Sequence, residues 1–152
     1  MKKLLIIILC FVGAILFGCR DSYDPEPPIA IIEVGNNSYE TTLGAYCWQS
    51  NGSTTCVDVP GPQKTMAGKE RIEVNPGDKI KFVLDYEPEP NDFYVLEIDS
   101  GTQVEVIVED NIFSAPMQQG VFYYSYGARW MDEIEENVSH ASVEYHFVIK
   151  VE

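Results

Sequence analysis

The sequence predicts an all-β protein, an antiparallel β-sandwich of about seven to nine short strands that follows a distinct N-terminal segment. Three observations predict it. From Ile29 onward the dominant hydrophobic period is two, clearest where Ile80, Phe82, Leu84 and Tyr86 share one face and Lys79, Lys81, Val83 and Asp85 the other. Turn-forming clusters punctuate that alternation at Asn51-Gly52-Ser53, Asn75-Pro76-Gly77-Asp78 and Asp99-Ser100-Gly101. No stretch sustains a 3.6-residue period.

The alternation defines the elements in order. Ile29 to Val34 is a strand ended by Gly35-Asn36-Asn37, and Tyr39 to Trp48 is a second with a bulge at Gly44. Thr54 to Val59 returns as a hairpin partner, and Pro60 to Gly68 is a loop. Arg71 to Val74 and Lys79 to Tyr86 form the next pair around the 75–78 turn. Glu87 to Asp92 is a Pro-rich acidic loop, followed by Phe93 to Ile98 and then Gln103 to Glu109 with Val104, Val106 and Val108 inward. Ala115-Pro116 disfavours a central strand within 110–119, because proline cannot donate to a ladder. Val121 to Tyr126, apolar or aromatic on both faces, reads as a central strand. Asp132 to Asn137 is an acidic loop or a single helical turn, and Ala141 to Val151 closes the domain.

The N-terminus follows other rules. Lys2 and Lys3 precede an uncharged run from Leu4 to Gly18, a basic n-region before an apolar h-region. Fifteen residues reach about 22 Å as a helix, short of the roughly 30 Å hydrocarbon core, so a cleaved leader fits better than a permanent span. The run ends Leu16-Phe17-Gly18-Cys19, which resembles the lipobox of bacterial lipoproteins. That resemblance implies that residues 1–18 are a signal peptide, that Cys19 is lipidated, and that the protein is held on the extracytoplasmic face of a bacterial cell membrane. Acyl chains at about 0.8 kcal/mol per buried methylene make such an anchor stable once two or more are present. Arg20 to Pro28 contains three prolines and three acids and predicts an extended tether of about 28 Å at 3.1 Å per residue. The expected organisation is therefore signal peptide 1–18, lipidated Cys19 and tether to 28, and one sandwich domain over 29–152.

Charge and cysteine content narrow the partners. Lys2 and Lys3 leave with the leader, so eight of the ten basic residues remain against 24 acidic ones, a net charge of −16. Such a chain is a poor ligand for nucleic acid and for anionic lipid. With Cys10 in the leader and Cys19 acylated, Cys47 and Cys56 remain, and an oxidising compartment predicts a disulfide between them across the hairpin. Trp48 beside Cys47 is expected to pack on that disulfide.

Val74-Asn75-Pro76-Gly77-Asp78-Lys79-Ile80-Lys81-Phe82 resembles a strand-turn-strand phrase of bacterial immunoglobulin-like domains and of cupredoxins, and Gly120-Val121-Phe122-Tyr123-Tyr124 is similar to a late strand of both. The resemblance implies an immunoglobulin-like, Greek-key sandwich. A blue-copper centre needs two imidazoles and a thiolate, and Tyr124-Ser125-Tyr126-Gly127 offers no thiolate where cupredoxins carry theirs.

The candidate chemistry is sparse. His146 alternates outward beside Glu144 and Lys150 and is expected to be a solvated surface residue, with His140 in a loop. No nucleophile elbow surrounds a serine. Asp85, Glu87, Glu89 and Asp92 are weak calcium candidates without the spacing of an EF-hand; no other metal or cofactor is expected. Tyr124, Tyr126 and Trp130 are candidate ligand-binding rings, since exposed aromatics beside polar loops suit a sugar or a peptide; core packing is the competing role. The leading expectation is a non-enzymatic, lipid-anchored binding module for an envelope protein or glycan. The alternatives are a small metal-dependent or hydrolytic envelope enzyme using the acidic loops and His140, and a structural or inhibitory partner of another exported protein.

Overall fold

The computed structural model describes residues 23–99 and 101–152; the leader and Cys19 lie outside the described residues. Two sheets pack face to face. The smaller contains β1 (Ile31–Val34), β2 (Asn37–Glu40), β6 (Lys79–Val83) and β9 (Ile112–Ser114) in the order β2-β1-β6-β9. The larger runs β4-β3-β11-β10-β7-β8, built from β3 (Thr42–Ser50), β4 (Ser53–Val57), β7 (Asp92–Asp99), β8 (Thr102–Val106), β10 (Gly120–Met131) and β11 (Ser139–Val151). β5 (Ile72–Val74) joins β11 in parallel, beyond the stretch of β11 that pairs with β3. All other strand pairs are antiparallel, as the alternation predicts.

The eleven described strands exceed the expected number because one expected strand is divided between the sheets as β2 and β3 and because β9 forms within 110–119. Tyr39 to Trp48 is not one strand: at Thr41 the chain crosses from the small sheet to the large one. There the Thr41 amide and hydroxyl both donate to the Ala30 carbonyl, at 3.0 and 2.8 Å. Likewise β5 and β6 are not a hairpin. The 75–78 turn is a corner between sheets, closed by the Asn75 amide on Asp78 Oδ2 at 2.8 Å, with Gly77 at φ +79°. The loop 60–68 contains one helical turn, α1 (Pro62–Thr65).

The bulge at Gly44 is present. Val143 pairs with Tyr46 and Tyr145 with Leu43, so Gly44 and Ala45 together oppose Glu144. β10 is central, as its two apolar faces predict, and the Pro116 region contributes only the short edge strand β9. Val104 departs from expectation, being 56% exposed on the edge strand of the large sheet, whereas Val106 and Val108 pack against the core as predicted.

Alternation fills the space between sheets. Val143, Tyr145, Phe147, Ile149 and Val151 are all buried, facing Ile32, Ile80 and Phe82 of the other layer. Phe82 stacks on Tyr126 with ring centroids 3.7 Å apart. Burying such a ring stabilises by several kcal/mol, so Phe82→Ala should cost about 3–5 kcal/mol.

The described part of the tether is docked. From Tyr23 the chain lies on the sandwich: the Tyr23 ring meets Trp48 and Trp130 edge-on at 5.3 and 6.4 Å. Trp48 Nε1 donates to the Asp24 carbonyl at 2.8 Å, and the Tyr145 hydroxyl to that of Pro28 at 3.0 Å. An unattached stalk over the whole of 20–28 is therefore corrected: indole and phenol donors inside the core need acceptors, and this segment supplies them.

Cys47 and Cys56 are joined as expected, directly opposite in register with Cα atoms 4.1 Å apart. Closing a loop of this size should stabilise by about 2–3 kcal/mol in the chain-entropy account. The double variant Cys47→Ser, Cys56→Ser should accordingly lower the unfolding free energy from urea denaturation by that amount, with a slope equal or steeper because the unfolded chain is released; an unchanged free energy would show that the bond does not restrain the unfolded chain.

Candidate functional site

The three aromatic candidates are interior. Tyr124, Tyr126 and Trp130 are 1%, 0% and 3% exposed, so they are corrected from candidate ligand contacts to core. Their positions on β10 alternate toward the small sheet, and their polar tips are satisfied within the protein. The Tyr124 hydroxyl donates to Glu97 at 2.8 Å, the Tyr126 hydroxyl to Asn111 Oδ1 at 2.9 Å, and Trp130 Nε1 to the Pro88 carbonyl at 2.6 Å. Burial pushes both phenols far above their usual range, with the Glu97 carboxylate adding to the rise at Tyr124. Trp48 does not lie on the disulfide side either. Successive strand residues face opposite ways, so Cys47 points off the outer face while Trp48 points inward to Tyr23, Tyr86 and Trp130.

His146 is the second correction. It does point to the outer face of the large sheet, but it is 1% exposed, because α1 packs across β3, β10 and β11 there. The Thr65 hydroxyl lies 2.7 Å from Nδ1, and Glu144 Oε2 lies 3.4 Å from Nε2. An ionised carboxylate can only accept, so Nε2 is the donor in its contact with Glu144. Glu144 also receives the Ser125 hydroxyl at 3.2 Å and the Tyr94 hydroxyl at 3.3 Å. These donors, His146 first, hold the Glu144 carboxyl below its ordinary value near 4.5 against the opposing effect of burial. Burial, then the nearby Glu144 charge, push the Tyr94 phenol up. Arg129 lies over the Tyr94 ring at 4.8 Å and pairs with Asp92.

Two glycines make room for this network. A Cβ on Gly44 would stand 2.7 Å from His146 Nε2, and one on Gly127 would stand 2.1 Å from the Tyr94 ring. Glu144 and Tyr94 also line a shallow groove of about 340 Å³ beside the disulfide, with Ala45, Val57 and Asp58. Chemically the network favours an ionised Glu144 carboxylate, and it leaves His146 closed to solvent.

The acidic candidates divide. Asp85, Glu87 and Glu89 are exposed, and Asp92 is taken up by Arg129. No group of three or more His, Cys, Asp or Glu side chains is placed to hold a metal among the described residues. The two acidic loops do meet at one end of the sandwich. There Tyr23, Glu89, Asp132, Glu133, Ile134 and His140 line a groove of about 330 Å³. His140 Nε2 lies 2.9 Å from Asp132 Oδ2, while Asp132 Oδ1 caps the loop by accepting the Ile134 and Glu135 amides, each at 2.7 Å. Those amides hold the Asp132 carboxyl below its usual range. Ser139, next to His140 in sequence, instead donates to the Ala141 carbonyl at 2.7 Å.

One surface was not singled out in the sequence. β8 is the edge of the large sheet, with no strand beyond it among the described residues. Val104 is 56% exposed on it, and Ile107 just after it is 85% exposed. Residues 92–110 contain six acids and no Lys or Arg. The signal was available as a proline-free, β-branched run, Val104-Glu105-Val106-Ile107-Val108; Val106 and Val108 do pack against the core as the alternation predicts, and only the inward reading of Val104 concealed the edge.

Glu144→Gln should reduce stability near neutral pH and make little difference in strong acid. A carboxyl whose folded value is depressed contributes stability above its unfolded value, and that contribution disappears as pH falls through the folded value. Urea midpoints of both proteins between about pH 7 and about pH 3 should therefore converge on acidification, and a gap of constant size would refute the assignment. Gly44→Ala, which drives a methyl into His146, should cost about 1–3 kcal/mol at neutral pH. Compared with family models, curated proteins and solved structures, the chain matches none.

Proposed function

We propose that this protein is a lipid-anchored, extracytoplasmic binding module of a bacterial envelope, non-enzymatic, which captures an extended segment of another envelope protein along the open edge of β8. The anchor half of the reading is supported by Lys2-Lys3, the uncharged run to Gly18, and Leu16-Phe17-Gly18-Cys19. The binding half is carried by one observation, the unpaired β8 edge with Val104 and Ile107 exposed. An edge strand offers a row of backbone donors and acceptors to any chain that lies alongside, and exposed apolar side chains add contact area.

Charge selects the partner. Six acids and no base across 92–110 favour a segment bearing Lys or Arg. The same acids disfavour a second copy of this chain, which would bring like charges to the same line. A glycan gains less from such an edge, because its hydroxyls do not match the regular spacing of a strand.

The test is a photo-crosslinking residue placed at Gln103 on β8 or at Thr54 on β4 in intact cells. A discrete protein adduct is expected from position 103 and not from 54. Val104→Lys, at an exposed position where the fold tolerates it, should lower that adduct about tenfold, the equivalent of about 1.4 kcal/mol. Equal adducts from both edges, or an adduct indifferent to Val104→Lys, would sink strand capture at β8.

A further inference from the structure

We infer that the sandwich stands on the membrane by one end, with the Tyr23 joint and the loops 86–91 and 132–138 facing the lipid surface and the 75–78 turn and Met117 facing away. This rests on the proposed lipid anchorage at Cys19 and adds to it a membrane-facing surface.

The geometry is a matter of chain length. Tyr23 is fixed in the angle between Trp48 and Trp130, and Asp24 is fixed at both backbone groups, its amide on the Tyr86 hydroxyl at 3.1 Å and its carbonyl on Trp48 Nε1 at 2.8 Å. Only Arg20, Asp21 and Ser22 separate Tyr23 from Cys19. Four Cα steps span at most about 14 Å, so the docked ring lies within that distance of the acylated residue. Tyr23 shares its groove with Glu89, Asn91, Asp132, Glu133 and Ile134, which belong to the same end.

The other end is distant. β11 begins at Ser139 beside that groove and runs thirteen residues to Val151, which pairs with Val74 and Gly120. At about 3.3 Å per residue that is roughly 40 Å. The 75–78 turn and Met117 lie there, with Met117 Sδ 3.3 Å from the position of a Cβ on Gly77. Without docking, nine residues from 20 to 28 would give a reach of about 28 Å and no fixed orientation. Docking replaces that with a joint and three connecting residues.

The charge of the near end decides what it does at the lipid. Glu87, Glu89, Asp132, Glu133, Glu135 and Glu136 crowd these loops, so anionic headgroups repel this end and oppose its insertion. The surface is suited to stand over lipid, not to insert in it. β8, which pairs alongside β7 between the two ends, is then presented sideways to neighbouring envelope proteins.

The test uses the full chain, processed in a bacterial host and reconstituted in phosphatidylcholine vesicles carrying a lipid-attached energy acceptor. With Cys19 acylated and Cys47 bonded to Cys56, a single introduced cysteine is the one free thiol for a donor dye. Glu133→Cys should be quenched at least twofold more than Gln118→Cys. Inserting ten Gly and Ser residues between Ser22 and Tyr23 leaves every packed residue in place and should remove most of that difference; Tyr23→Ala should do the same where it folds. Equal quenching at the two positions, or a difference that survives the insertion, overturns the orientation. Anchorage is read separately: labelled fatty acid should enter the wild type and not Cys19→Ala. Its absence from the wild type refutes the lipid reading, whereas its presence with equal quenching refutes the orientation alone.

Discussion

The aromatic rings between the sheets carry polar tips, and finding an acceptor for each tip organises the loops. Trp48 reaches Asp24, Trp130 reaches Pro88, Tyr145 reaches Pro28, and Tyr126 reaches Asn111. None of these acceptors lies in a strand. A buried N–H or O–H left without a partner costs about 1–3 kcal/mol, so each ring is committed to a particular stretch of irregular chain. Ladder hydrogen bonds hold the sheets, while the ring tips hold the N-terminal segment, the Pro-rich loop and the approach to β9. Asn111 illustrates the coupling: at φ +60°, it accepts the Phe82 amide on its carbonyl and the Tyr126 hydroxyl on its side chain. It therefore joins the two sheets through the stacked pair Phe82 and Tyr126.

The outer face of the large sheet solves a different problem. Its residues point away from the core, yet His146 and Ser125 are buried there, and Glu144 is half-buried. Hydrogen bonds make that tolerable. Glu144 accepts from three side chains, and Thr65 on α1 closes the remaining histidine nitrogen. The bulge at Gly44 belongs to the same arrangement, since a side chain there would occupy the space that His146 fills. The network thereby ties α1, β3, β7, β10 and β11 together on a face that a polar-outward pattern would leave to solvent.

What the sequence made legible follows from these two faces. Alternation assigned the inward set of β11 correctly, because period two is enforced by backbone geometry alone. The fate of the outward set is a separate matter, decided by whether something covers it. His146 has the alternation of a surface residue and the burial of a core residue, and only the return of Thr65, 81 positions earlier, accounts for the difference. Strand ends were legible where glycine or proline marked them, as at 75–78, but the crossing at Thr41 has no such mark. It depends on the Ala30 carbonyl, a long-range acceptor that no local pattern announces. Tyr124, Tyr126 and Trp130 were placed on the correct strand, yet whether they were core or ligand contacts turned on the position of the small sheet. The acidic loops could be listed from sequence, whereas their meeting around Tyr23 and His140 required the tertiary fold.

Among the described residues four strands end the two sheets, the three-residue β5 adds a short fifth edge beside β11, and these edges are not equally open. β9 has three residues and β2 has four, too short to template a long partner. β4 is crosslinked to β3 through Cys47 and Cys56 and carries serine and threonine side chains, which offer little apolar area. β8 exposes Val104, and Ile107 just beyond its end is exposed as well, with acidic residues on either side. Negative charge is an effective guard against another acidic chain, and this chain is itself strongly acidic, so self-pairing is opposed at the edge where it would otherwise be easiest. The same charge attracts a basic strand. Protection against self-association and selectivity for a basic partner are thus two effects of one distribution of carboxylates along one edge.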